Sequence, residues 1–275
     1  MEDIAGSVSG MVRDVGATML RFLDAYTFRA RLFPAVIGAA PALAAVALLI
    51  SWKTLELSNI VATIGLLVLI YALADWARKR GQDLQPGLYE QMGGKPSVTM
   101  MYRSDSSIDQ VSKDRYRAFL ATKINQTEPT AADETQNPCA ANGFYELAGT
   151  WLRENTRDTK KFPILFNENV TCGFRRNLLG LKWAALALNI AVVSICSAIL
   201  WSRAPISMSD DMVPRVIVVL VVATIHALYV SLVVKPQSVM AASRTYARQL
   251  ILSCETLIAG QKPPRTSAKR KGNAA

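Results

Sequence analysis

Histidine is almost missing from this chain: its 275 residues include one, His226. A single imidazole excludes histidine-based zinc clusters and the HExxH arrangement of metalloproteases, which place two histidines on one ion. His226 also lies inside an apolar run, so it is not available to a Ser-His-Asp or Cys-His arrangement in a watery cleft. Cysteine is scarce too. Cys139, Cys172, Cys196 and Cys254 form no CxxC pair, which removes the thiolate route to a metal, and their spacing predicts no structural disulfide. Gly93, Gly94 and Lys95 fail as a phosphate loop, because Tyr89 stands where its first glycine belongs and Pro96 where Ser or Thr must follow the lysine. Gly6 to Gly10 fails as a nucleophile elbow, with Val8 in place of the serine. Acidic residues number 21 against 31 Lys and Arg. Asp105, Asp109, Asp114, Asp133, Glu134, Glu146 and Glu154 are scattered and match no ion-binding loop with a central glycine. Together these absences predict no enzymatic activity, no resident metal and no cofactor.

What the chain has in quantity is apolar sequence in long runs. Residues 33–52, 58–77, 179–201 and 214–234 each approach the roughly 20 residues that cross about 30 Å of hydrocarbon at 1.5 Å per residue. The expected fold is an all-α membrane protein: four transmembrane helices set as two hairpins, 33–77 and 179–234, with a mainly helical cytoplasmic domain, 78–177, inserted between them. Charge gives the orientation. The hairpin tips and their edges hold only Lys53, Arg203 and Arg215, so 28 of the 31 Lys and Arg residues lie on the other side, where Lys182 can snorkel from the third span. By the positive-inside rule that side is cytoplasmic, which places both termini inside and predicts a multi-pass protein of the plasma (inner) membrane. The first thirty residues carry Glu2, Asp3, Asp14 and Asp24 and no continuous apolar region, so the first span is expected to act as the insertion signal. Asn125 and Asn169 head glycosylation sequons, which stay idle on a cytoplasmic face.

The segments outside the spans are patterned. Residues 1–31 read as an amphipathic helix, cytoplasmic or interfacial, with Ile4, Val8, Met11, Val15, Phe22 and Tyr26 on one side. Residues 237–259 read as a second, with Val239, Tyr246, Leu250, Ile251 and Cys254 recurring at helical spacing. Residues 260–275 read as a basic, disordered tail, drawn to anionic headgroups; without interleaved aromatics it does not point to nucleic acid. The central domain holds ten of the 21 aromatic residues, which predicts a folded unit. Its expected plan is a loop-rich stretch over 81–107 with a short strand at 98–102, and a helix over 108–124 turning Val111, Tyr116, Phe119 and Leu120 inward. A polar loop then leads to a helix over about 140–156 that buries Phe144, Leu147, Trp151 and Leu152, and a helix opened by Pro163 runs into the third span.

Two constellations are candidate sites. Arg78, Lys79 and Arg80 end the second span, and Arg175 and Arg176 precede the third; together they form a candidate contact for anionic lipid headgroups or a small phosphorylated ligand, since guanidinium binds oxyanions bidentately. Inside the bilayer, Asn189 and His226 lie roughly 12–15 Å deep in the third and fourth spans, nearly level if those spans are antiparallel. They read as a polar pair, either bonded helix to helix or lining an aqueous path. Gly38, Ala42, Ala45, Ala184, Ala187 and Ala191 suggest where helices pack closely. The first expectation for function is a cytoplasmic domain that senses a ligand or protein partner and controls an oligomeric membrane region, as a regulated pore or a membrane-disrupting effector; in layout alone, with no shared motif, the chain resembles the four-span bacterial effectors of antiphage defence. The second expectation is a membrane scaffold or adaptor that recruits cytoplasmic proteins.

Overall fold

A computed structural model describes residues 25–50 and 59–260. Every element among them is helical: α1 (Phe33–Leu49), α2 (Asn59–Gln91), α3 (Pro96–Thr99), α4 (Gln110–Ile124), α5 (Ala131–Gln136), α6 (Pro138–Asn155), α7 (Pro163–Ser202), α8 (Met212–Leu232) and α9 (Pro236–Ala259), with a π-helical turn, Thr27–Leu32, leading into α1. Proline explains many of the starts. α3, α6, α7 and α9 each open on proline, whose fixed φ suits a first turn and whose missing N–H is no loss there, whereas Pro34, in the first turn of α1, follows directly on the π-helical turn and has no N–H to offer that turn's carbonyls. The chain divides into two compact units: residues up to Lys95 with Phe166–Tyr246, and Pro96–Leu165 with the residues from Ala247 onward. The division therefore falls within the sequences of α7 and α9.

In the first unit, Thr27–Leu49, Pro163–Ser202 and Met212–Leu232 are long and apolar enough to cross a membrane. Residues 59–77 of the second expected run fall in α2, where Leu67, Val68, Leu69 and Tyr71 are exposed. The inward stripe of α7 is Leu178, Leu181, Ala185, Asn189, Val192 and Cys196; that of α8 is Val213, Val216, Val219, Ala223, His226 and Val230. Both repeat every three to four residues, one face of a helix. The opposite faces carry Ile190, Ile195, Ile225 and Leu232 outward, an apolar surface that suits lipid rather than water. α1 packs on α8, and Ala42, Ala45, Leu48 and Leu49 meet the cluster of Val192, Cys196, Val216 and Val219. Gly38 and Ala42 thus take part in close packing, but Ala187 and Ala191 are exposed: on α7 it is Ala185, one position after Ala184, that is buried and lies against Gly38.

The expected loop over 81–107 is corrected by α2, which stays helical to Gln91. Gly81 does not break the helix; it lets α7 approach. A Cβ on Gly81 would stand 2.9 Å from the Arg176 carbonyl oxygen, and one on Gly180 only 2.6 Å from the Gly81 nitrogen. The strand expected at 98–102 is also replaced, by α3 and the turns after it, where Met100, Met101 and Tyr102 donate to Pro96, Val98 and Thr99. A lone strand has no partner for its backbone groups, and local turns satisfy them.

The second unit is built around α6, against which α3, α4 and α5 pack. Side chains cap its helices: Asp109 accepts from the Ser112 N–H at 2.8 Å, and Thr130 and Asp133 form a reciprocal capping box. These bonds hold both carboxyls below the ordinary aspartate range. Tyr116, Leu120, Phe144 and Leu152 are buried as expected, while Val111 is 81% and Leu147 45% exposed. Fully buried Lys113 and Arg117 take the inward positions of α4. In α9, Val239, Leu250, Ile251 and Cys254 are buried, together with Ala242, Ser243 and Ala247. Of the expected amphipathic helix 1–31, residues 1–24 lie outside the described residues, as does the basic tail beyond Gly260.

Candidate functional site

Among the described residues of the apolar unit, one buried polar pair joins two helices at mid-helix depth. Asn189 of α7 and His226 of α8 are each 5% exposed. The Asn189 amide nitrogen donates to the Ala223 carbonyl at 2.8 Å and lies 2.9 Å from His226 Nδ1. Such a bond between membrane helices contributes about 0.6–2 kcal/mol, and leaving either group unpaired in the same place costs more. The placement follows from local sequence. Asn189 falls four residues after Ala185 and three before Val192, and His226 three after Ala223, so both sit on the inward stripes.

Two further polar contacts join α7 and α8. Lys182 Nζ donates to the Val234 carbonyl at 2.8 Å, a cation at the C-terminal end of α8, where free carbonyls and the helix dipole favour it. At the other end, Arg203 pairs with Asp210 at 2.5 Å, and that carboxyl is held low first by its bond to the Met212 N–H and then by the arginine.

The five candidate anion contacts do not form one cluster. Arg175 donates to the Ser238 carbonyl at 3.1 Å and lines a groove of about 250 Å³ with Lys235. Arg176 bonds Gln85 and Asn177, both at 3.3 Å, tying α7 to α2 beside the Gly81 crossing. Arg80 lies over the Trp76 ring, 6.0 Å from its centre, and lines a separate groove of about 380 Å³ with Lys182, Trp183 and Leu179, where Asp83 is the single acid. Arg78 is half-buried and Lys79 exposed, and neither lines these grooves. Asn177 is turned inward instead, donating to the Ala30 carbonyl at 2.7 Å.

The second unit holds a polar network that sequence reasoning missed. The Glu134 carboxylate accepts from the Arg103 N–H at 2.9 Å, from its guanidinium at 2.7 Å and from the Tyr145 hydroxyl at 2.6 Å. Burial, then this hydrogen bond and the charge of Glu134, push the Tyr145 phenol well above its ordinary range. On α4, Lys113 donates to the carbonyls of Tyr102, at 2.6 Å, and Asp105, while Arg117 donates to Met101 at 2.8 Å and pairs with Asp114. The loop after α3 is thus wound around two buried cations by its own carbonyl oxygens. Desolvation pushes the Lys113 ammonium below the usual lysine range, against the opposing charge of Asp105. Val111 faces outward instead of inward as expected, and with it outside, positions 113 and 117 turn in. Tyr116 donates to Glu255 at 2.6 Å and is pushed up to about 12, chiefly by burial. Burial likewise pushes Cys254 up to about 12, which keeps its thiol protonated and inert.

A pocket of about 450 Å³ opens in this unit between the loop after α4 and the first turns of α6. Phe144, Leu147 and Ala140 form its apolar wall, and Glu128 and Asp133 its acidic side. One Glu128 carboxylate oxygen there is buried with no hydrogen-bond partner. No protein-family model, curated protein or solved structure matches the chain.

Proposed function

We propose that this is a non-enzymatic, multi-pass protein of the plasma (inner) membrane. Its polar unit senses a ligand or protein partner in the cytoplasm and controls an oligomeric membrane region, a regulated pore or membrane-disrupting effector of the kind bacteria use in defence. In this reading the four apolar runs form two hairpins with both termini inside. The contacts from Lys182 to Val234, Asn189 to His226 and Arg203 to Asp210 support the second hairpin, because they climb α7 and α8 in opposite residue order. Trp183 and Trp201, both exposed, lie eighteen residues apart on α7, about 27 Å along the axis, which matches aromatic anchors at the two faces of a bilayer.

The observation that carries the reading is the division of the chain into one unit of long apolar helices and another with its own polar core and a ligand-sized pocket. Anionic headgroups are the proposed lipid partners, met by Arg80 in the groove beside Trp183. Induction in bacteria, with and without candidate nucleotide signals, tests the function through membrane potential and growth. Depolarisation that depends on the signal supports the pore or effector; inert expression with stable co-purifying cytoplasmic proteins replaces it with a scaffold or adaptor. Binding of the purified chain to anionic vesicles tests the lipid contact alongside: Arg80→Gln should weaken it, and unchanged binding removes Arg80 from the site.

A further inference from the structure

Two prolines seven residues apart in α1 each strip one backbone carbonyl of its helical donor. Pro34 has no N–H to offer Ala30, and Pro41 none to offer Ile37. The first of these carbonyls is met from α7, by the Asn177 amide at 2.7 Å. The second is approached from α8, by the ring of His226. On that ring, Nε2 is buried and has no partner at full hydrogen-bond geometry.

The other face of the ring fixes where its proton is. Asn189 offers two amide hydrogens. One goes to the Ala223 carbonyl, which can only accept, and this sets which way round the amide sits. The other points to His226 Nδ1 at 2.9 Å, so Nδ1 meets a donor and must present its lone pair. A neutral imidazole with a bare Nδ1 carries its hydrogen on Nε2. Nε2 is therefore a buried donor in need of an acceptor, next to a carbonyl in need of a donor.

We propose that His226 latches the proline break in α1: its Nε2–H donates to the Ile37 carbonyl that Pro41 releases, and Asn189 holds the tautomer that makes this bond available. The resulting chain of bonds joins the Ala223 carbonyl, Asn189, His226 and Ile37, and so ties α8, α7 and α1 at one level. The Asn177 bond at Ala30 does the same for Pro34 one heptad earlier. Between them the two bonds hold a helix that proline weakens twice, and release of the His226 bond frees the half of α1 that follows Pro41. The inference stands whether or not the membrane region conducts.

One histidine in the chain makes the test clean, since labelled histidine gives a single imidazole signal. The full chain, labelled with ¹⁵N-histidine and ¹³C-carbonyl isoleucine, is placed in lipid bilayers at neutral pH for solid-state NMR. The expected result is a neutral ring, protonated on Nε2 and bare on Nδ1, with a through-space correlation from the Nε2 hydrogen to one isoleucine carbonyl. A proton on Nδ1, or no such correlation, overturns the latch. Pro41→Ala returns an N–H to Ile37 and should shift the Nε2 hydrogen toward its weakly bonded position, whereas Pro34→Ala should leave it in place. An Nε2 hydrogen that ignores Pro41→Ala also overturns the proposal, and if that variant does not fold, the wild-type correlation decides alone.

Discussion

Inside the polar unit the Glu134 carboxylate gathers three donors, two from Arg103 and one from Tyr145, and its side chain is almost wholly buried while that of Arg103 is 28% exposed. The arrangement is asymmetric in consequence. Tyr145→Phe removes one bond to a charged acceptor and is expected to cost about 1.5 kcal/mol, because Glu134 keeps both bonds from Arg103. Glu134→Ala strips all three donors at once and leaves part of a guanidinium without its counter-charge, so a loss of about 3 kcal/mol is expected. Denaturant unfolding of the full chain in detergent reads both. If Glu134→Ala is no worse than Tyr145→Phe, the carboxylate is not the centre of the network. Glu134, Lys113 and Arg117 were not legible as interior residues, because a charge in a polar helix is ordinarily solvated and nothing local marks the exceptions. Asn189 and His226 were legible for the opposite reason: a polar residue amid apolar neighbours stands out, and hydrocarbon leaves it few places to face.

Helix contacts in this chain turn on glycine used in two ways. At Gly180 an added Cβ would meet backbone atoms of α2 at 2.6–3.0 Å, and backbone cannot swing aside as a side chain can. At Gly143 in α6 it would meet nothing within 4 Å. Gly180→Ala is therefore expected to push α7 off α2 and destabilise by about 1–3 kcal/mol, while Gly143→Ala gains helix propensity and stabilises by about 0.5–1 kcal/mol. Thermal unfolding of the two variants under one set of conditions should show midpoints moving in opposite directions; a common direction would contradict the crossing. The same residues mark where sequence reading of elements succeeds and fails. Helices α4, α6, α7 and α9 are announced by caps, prolines and long periodic or apolar runs, and they form near their expected limits. The stretch after residue 81 reads as loop because Gly81, Pro86 and Gly87 are breakers in isolation, whereas Gly81 here serves the approach of α7. Nor can the inward face of α7 be read from alanines: a helix apolar on all sides has no periodicity to orient it, and Asn189 is its one reliable pointer.

For the whole molecule, the distribution of charge makes a statement about sidedness. The segment between α7 and α8 holds Arg203 outnumbered by Asp210 and Asp211, while the polar unit and the ends of the spans carry most of the 31 Lys and Arg residues. Insertion leaves such an excess on the cytoplasmic side, since moving it across would oppose the membrane potential and strip it from anionic headgroups. The four cysteines give a means to check this. Cys139 is exposed in the polar unit, whereas Cys196 and Cys254 are buried and Cys172 is half-buried beside Ser243. With the other three replaced by alanine, Cys139 in intact bacteria should resist a membrane-impermeant maleimide and react once the membrane is opened. Ser207→Cys in a cysteine-free chain places a thiol in the exposed segment between α7 and α8, and it should react in intact cells without permeabilisation. The reverse pattern would turn the molecule over, put the polar unit and its pocket outside, and end the proposal of a cytoplasmic sensor. Reaction of both thiols from outside would mean an odd number of crossings between residues 139 and 207 is wrong, so that α7 does not span.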